Sequence, residues 1–261
     1  MMRSAINRWL IARTILLEAV RRQELYVIVL ISVALLGGLR FVKFFDIEGL
    51  GKFYREVSLK TMNLATALTA ILLAARQLPR EFKNRTLYPL LAKPVSRLDF
   101  LLGKFFGVML AAGFCYGLFM LVFLAGSLTL RAKMNYPLFV QAVYLQAWSI
   151  AVLVAMTFVL SLLFNTDAAI TLSAILCLSS QVLMTLMSYL YDYVGRAQQW
   201  GLLALHFLVP QLTLFDLSAK IVHEIWPPIP AWAVWRLTLY GAGYTAVFLA
   251  LAYLLFRRRP I

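Results

Sequence analysis

Glycine followed by lysine is the pair that closes a phosphate-binding loop, and Gly103-Lys104 in the stretch LLGKFF offers it. That loop also needs an earlier glycine at fixed spacing, GxxxxGK[ST], and none stands there, so the chain supplies no ATP-binding loop of this kind. His206 and His223 form no HExxH pair, no GxSxG elbow accompanies them, and no two carboxylates face each other inside an apolar run. Cys115 and Cys177 each sit within an apolar run and form no CxxC pair, which points to unreactive thiols and neither a disulfide framework nor a zinc site. Cys177, Met184 and Met187 fall within a few helical turns and are soft ligands of the type that hold reduced copper, although methionine there is also ordinary helix packing. Catalytic, cofactor and metal chemistry are therefore not expected of this chain.

The polar residues that do fall deep in apolar runs are neutral: Asn63, Gln146, Ser149, Ser179, Ser180 and Gln181. Helix packing accounts for such groups, and Asn63, Gln146, Ser180 and Gln181 are also the candidates for a substrate path. An ion-coupled carrier places Asp or Glu near the middle of a span, whereas Glu56 and Asp167 lie at span ends within reach of water. Lys60 and Arg76, near the two ends of one span, are expected to snorkel.

The elements that must position these groups are membrane helices. The 261 residues are 62% hydrophobic and only 14% charged, with a mean hydropathy of +0.82, against about 25% charged in a soluble domain. A net charge of +14 would suit a nucleic-acid binder, but the basic residues lie between long apolar runs and not on one folded face, so no nucleic-acid partner is expected. A bilayer core of about 30 Å takes about 20 apolar residues per helix. Six stretches qualify, near 25 to 45, 57 to 78, 104 to 128, 138 to 164, 169 to 191 and 233 to 256. Both termini are placed inside, because that arrangement puts fifteen of the 25 Lys and Arg on the inner side, including the terminal run Arg257-Arg258-Arg259. No cleavable signal is expected, since Arg13 and Glu18 break the first apolar stretch.

The expected fold is thus a single all-α integral membrane domain over 1–261, with an amphipathic interfacial helix at 1–24, an inner loop at 79–103 and an outer region at 192–232. In the outer region WGLLALHFLVP, residues 200 to 210, is too short to cross and suits a re-entrant or interfacial helix. Trp226, Trp232 and Trp235 are headgroup-level anchors, and Pro227, Pro228 and Pro230 stiffen the entry to the last span.

The inner loop after the second span has its own signals. Ser96 followed by Asp99 is a capping box that opens a helix running unbroken into the third span, and Pro94 breaks the chain before it. Pro79 suits a first helical turn. Between them REFKNRTLYPLL is too polar to span and too apolar to be a free linker, the composition of a segment with a partner surface.

Glu81, the Thr86-Leu87 pair, the Leu90-Leu91 pair, Pro94-x-Ser96-Arg97 and Leu101-Leu102-Gly103-Lys104, set in this six-span layout, resemble the ABC-2 type transporter permease family. Arg85 departs from the pattern, since many members carry Gly before the Thr-Leu pair. The resemblance implies a membrane subunit, an exporter of a prokaryotic inner membrane, that pairs with a second permease subunit and binds two cytoplasmic ABC ATPase subunits, which hold the ATP. It implies that Glu81, Arg85, Thr86, Leu87, Leu91, Pro94, Ser96 and Arg97 belong to the coupling helix seated on the ATPase. Two readings from other classes stand beside it: an ATP-independent channel or carrier, and a membrane anchor that recruits a cytoplasmic partner. Substrate identity is not written in the sequence.

Overall fold

A computed structural model of the chain describes residues 2–20, 47–83, 96–129, 135–190, 195–196, 198–202, 209–222 and 227–258, with a few isolated positions elsewhere. Every regular element among them is helical. Helix α1 covers Met2–Val20, α2 Ile47–Lys83, α3 Arg97–Thr129, α4 Tyr136–Leu163 and α5 Thr166–Leu190. A tight 3-10 turn at Leu212–Phe215 leads into short α6, Ser218–Val222, and α7 runs over Ala231–Arg258.

Helices α2, α3, α4 and α7 are each long and apolar enough to cross a membrane, and the described apolar part of α5, Thr166–Ser180, is shorter. They coincide with expected spans two to six; the first, 25 to 45, lies outside the described residues but for isolated positions. Large apolar side chains such as Leu121, Leu128, Val140 and Val247 stay exposed on the bundle, the pattern of a lipid-facing surface.

Local chemistry explains the helix ends. Asp99 N donates to Ser96 Oγ at 3.0 Å, and the Ser96 hydroxyl donates to Asp99 Oδ2 at 2.8 Å. Ser96 is therefore the N-cap of α3, a contribution of about 1 kcal/mol. Phe164 turns extended after α4, its N–H closing on Leu160 O, and α5 starts two residues later at Thr166. The Pro-rich approach to α7 is pinned to α4 because the Gln141 amide holds both backbone groups of Ile229, at 2.9 and 3.0 Å.

One boundary differs from expectation. Pro79 opens no new helix, because α2 runs through it to Lys83. Proline removes one backbone hydrogen bond and crowds the preceding turn. Here Leu78 is fully buried on the upstream side, and Lys104 of α3 binds both Gln77 and Glu81, one on each side of the proline. Tertiary contacts hold the turn that local propensity would release.

In packing, α4 is the most enclosed span and α7 the least, with 72% and 22% of their apolar windows buried. Helix α2 touches α3, α4 and α5, while α1 lies along α3 and α7 along α4. Gly103 and Gly107 let α1 in: a Cβ on Gly107 would stand 2.6 Å from Ile15 Cδ1 and 3.1 Å from the Ala12 Cα. Trp9, Leu10 and Leu17 on α1 remain exposed, as an amphipathic helix at a membrane surface leaves its apolar side. The segment 209–222 tucks inward, burying Val209, Leu212, Phe215, Leu217, Ile221 and Val222 against α2, α4 and α5. Non-helical backbone of this sort is tolerated in a membrane domain where protein encloses it; residues 203–208 of the expected re-entrant stretch lie outside the described residues.

Candidate functional site

Two clusters of polar groups occupy opposite halves of the bundle. The first gathers at the end where α2 stops and α3 starts. Lys104, only 7% exposed, places its Nζ 2.6 Å from Glu81 Oε1 and 3.0 Å from Gln77 Oε1, over the face of Phe100. Phe100 stacks on Phe256 of α7, and Arg97 donates to the Arg257 carbonyl at 3.0 Å. Glu18 of α1 pairs with Arg80 of α2. The end of α1, both roots of the loop and the end of α7 are thereby tied at one end of the molecule.

The electrostatics of these ties differ. Arg80–Glu18 is exposed on both sides and contributes little. Lys104–Glu81 is largely buried, so the two charges depend on each other. Sequence reasoning assigns Glu81, Ser96 and Arg97 to a partner contact; the structure gives each an intramolecular bond at the root of the loop. Arg85, Thr86, Leu87, Leu91 and Pro94 lie outside the described residues.

The second cluster lies about 27 Å further along α2, at 1.5 Å per residue from Glu81 to Asn63. A cleft of about 290 Å³ opens there between α2, α4, α5 and the inserted segment, and Asn63, Gln146, Ser149, Ser180, Thr213 and Asp216 line it. The structure thus brings together three of the four substrate-path candidates, while the side chain of Gln181 lies outside the described residues. Cys177 also faces the cleft; the side chains of Met184 and Met187 are outside the described set, and no group of three His, Cys, Asp or Glu that could hold a metal occurs among the described residues.

Four buried threonines elsewhere in the bundle satisfy themselves. Thr66, Thr69, Thr157 and Thr245 each donate to the carbonyl one turn back at 2.7 to 2.8 Å, and these are packing groups. In the cleft Ser180 does the same, donating to the Cys177 carbonyl at 3.0 Å, but Asn63 behaves otherwise. Asn63 Nδ2 reaches out of its helix to Asp216 Oδ1 at 3.2 Å and Ser218 Oγ at 3.1 Å. Asp216 Oδ1 also accepts from Ser218 N at 2.9 Å and from Ser218 Oγ at 2.5 Å.

A model of the ABC-2 family transporter proteins matches residues 9–260. The chain belongs to the ABC-2 family. As an ABC-2 family transporter protein it is a multi-pass membrane component, a permease subunit of an ABC transporter whose partners are ABC ATPase subunits. No curated protein matches the sequence.

Sequence reasoning missed Asp216 and Thr213. Both come from the outer segment, and a search for carboxylates within the spans does not reach them. The available signal is Asp216-Leu217-Ser218 ahead of a short helical stretch, where a carboxylate turns back on the backbone two residues on.

Proposed function

We propose that this ABC-2 family transporter protein is the permease half of an exporter, with six spans and both termini on the cytoplasmic side of an inner membrane. Two such subunits pair, and two ATPase subunits hydrolyse ATP against them. The loop that joins α2 to α3 is the coupling segment, with Arg85, Thr86, Leu87, Leu91 and Pro94 on its contact surface. Asn63, Gln146, Ser180 and Gln181 belong to the substrate path. One observation carries the reading: both roots of the loop are fastened to each other by Glu81–Lys104 and to α7 by Arg97. A push on a loop with a fixed base moves α2 as a rod, whereas a loose base absorbs it. Because α2 also carries Asn63, the same motion shifts one wall of the cleft against Gln146 on α4.

Co-expression with the ABC ATPase encoded beside the chain tests the contact. Leu87→Asp with Leu91→Asp is expected to lower ATPase recovery with the tagged permease by about tenfold or more, since burying two unpaired carboxylates is costly. Arg97→Ala removes a bond to α7 and leaves recovery near the parent level. Full recovery with the double variant would show that the loop is not the contact.

A further inference from the structure

The cleft holds more hydrogen-bonding capacity than the protein uses. Gln146 is 6% exposed, lines the cleft, and its amide forms no hydrogen bond among the described residues. Thr213 Oγ1 is buried with no partner among them. All three bonds to Asp216 fall on Oδ1, so Oδ2 has no partner among the described residues. Asn63 spends its N–H groups on Asp216 and Ser218, which leaves its carbonyl oxygen as an acceptor. Buried polar groups are almost always bonded, so a set of unpartnered ones around a cavity marks a place for a guest.

Charge and shape define that guest. Lys60 lines the cleft, but its ammonium is held by Glu56 at 2.7 Å, one helical turn away. Asp216 is therefore the one cleft charge held only by neutral groups among the described residues, and its field favours a cation. A bare metal ion takes six or more oxygens around it or a dedicated cage, while Leu64, Ala67, Leu178 and Leu212 supply apolar wall here. A volume near 290 Å³ is worth about ten waters at roughly 30 Å³ each, enough for a small organic molecule.

We propose that this cleft binds a small organic amine, its ammonium on Asp216 and the Asn63 carbonyl, its short apolar body against Leu64, Leu178 and Leu212, and Gln146 reading a second polar group. The amine is the cargo, or an analogue of its head, an assignment that rests on the chain being a transport subunit.

Cys177 in the cleft wall reports on occupancy, because Cys115 is buried away from it. The full-length chain, carrying Cys115→Ala and purified without any ATPase, is alkylated with N-ethylmaleimide in the presence of phenethylamine, 2-phenylethanol, 3-phenylpropionate or sodium chloride at equal millimolar concentration. Phenethylamine is expected to slow Cys177 modification about tenfold more than the alcohol or the carboxylate, the discrimination of one charge-assisted hydrogen bond. Asp216→Asn, which retains an acceptor for Ser218, abolishes the preference, the protection in each variant being read against that variant's own unliganded rate. With tyramine, whose phenol supplies the second polar group, Gln146→Leu weakens protection severalfold and supplies a second readout. Equal protection by all three organic probes overturns the proposal, as does protection by sodium chloride alone or undiminished amine protection in Asp216→Asn. The assay contains no ATPase, so its failure leaves the coupling reading standing, and failure of ATPase recovery leaves the amine site standing.

Discussion

Replacing Lys104 by Met is expected to destabilise the bundle by about 3 kcal/mol, the cost of leaving one member of a buried ion pair without its partner. Lys104 is 7% exposed, and the Glu81 side chain with which it pairs is 18% exposed. In the variant Glu81 loses the Lys104 ammonium, and Gln77 loses the donor that met its carbonyl. The unfolding midpoint in graded denaturing detergent measures the loss. The double variant Glu81→Gln with Lys104→Met recovers most of it, because neither charge of the pair remains to be buried. If each single change costs as little as an exposed pair, under about 1 kcal/mol, the root of the loop is not held by this bridge. A further effect follows in the assembled transporter: coupling declines in Lys104→Met and in the double variant alike, since the bridge that fixes the base of the loop is absent from both.

The second large effect is expected at Gly107. Leucine there lifts α1 off α3, because the first carbon of the side chain already lies 2.6 Å from Ile15 Cδ1 and 3.1 Å from the Ala12 Cα. The Ile15 terminus can rotate; the Ala12 backbone cannot. Overpacking of this kind costs about 1–3 kcal/mol, and it falls on the contact between α1 and α3. Exposed Arg13 gives the readout, since trypsin cuts a helix in its opened form and the rate follows the open population. Cleavage at Arg13 rises by about tenfold or more in Gly107→Leu, at one decade per 1.4 kcal/mol. The same substitution at Gly113, where a Cβ meets nothing within 4 Å, leaves it unchanged. An unaltered rate in Gly107→Leu contradicts the close packing of the two helices.

Much of the architecture is legible in the sequence because hydrophobic length is a local property. Helices α2, α3, α4, α5 and α7 fall where the apolar runs lie, four of them long enough to span, the Ser96 cap opens α3, and Phe164-Asn165 makes the turn before α5. The family, too, is readable from the loop motif and the layout. Pairings across the fold are not local. Glu81 and Lys104 stand 23 positions apart on the two sides of the loop, so each reads as a solvated or partner-facing charge until the helices are brought together. Pro79 is misread for the same reason: its breaking tendency is written in the chain, while the lysine that bridges it is on another helix. The cleft is half visible. Asn63, Gln146 and Ser180 stand out as polar groups in apolar runs, but Asp216 comes from a segment 153 residues after Asn63, and nothing in either neighbourhood announces the contact.

The claim that joins these parts is that movement of the loop by an ATPase reaches the cleft through α2. It is tested by the alkylation rate of Cys177 in the co-purified transporter, in the Cys115→Ala background, without nucleotide and with ATP plus vanadate. The rate is expected to change by about threefold or more with trapped nucleotide, the extent of a shift of roughly 0.65 kcal/mol in cleft opening, and the change disappears when Glu81→Ala loosens the base of the loop. A Cys177 rate indifferent to nucleotide, in a complex that hydrolyses ATP, would contradict the coupling of loop to cleft.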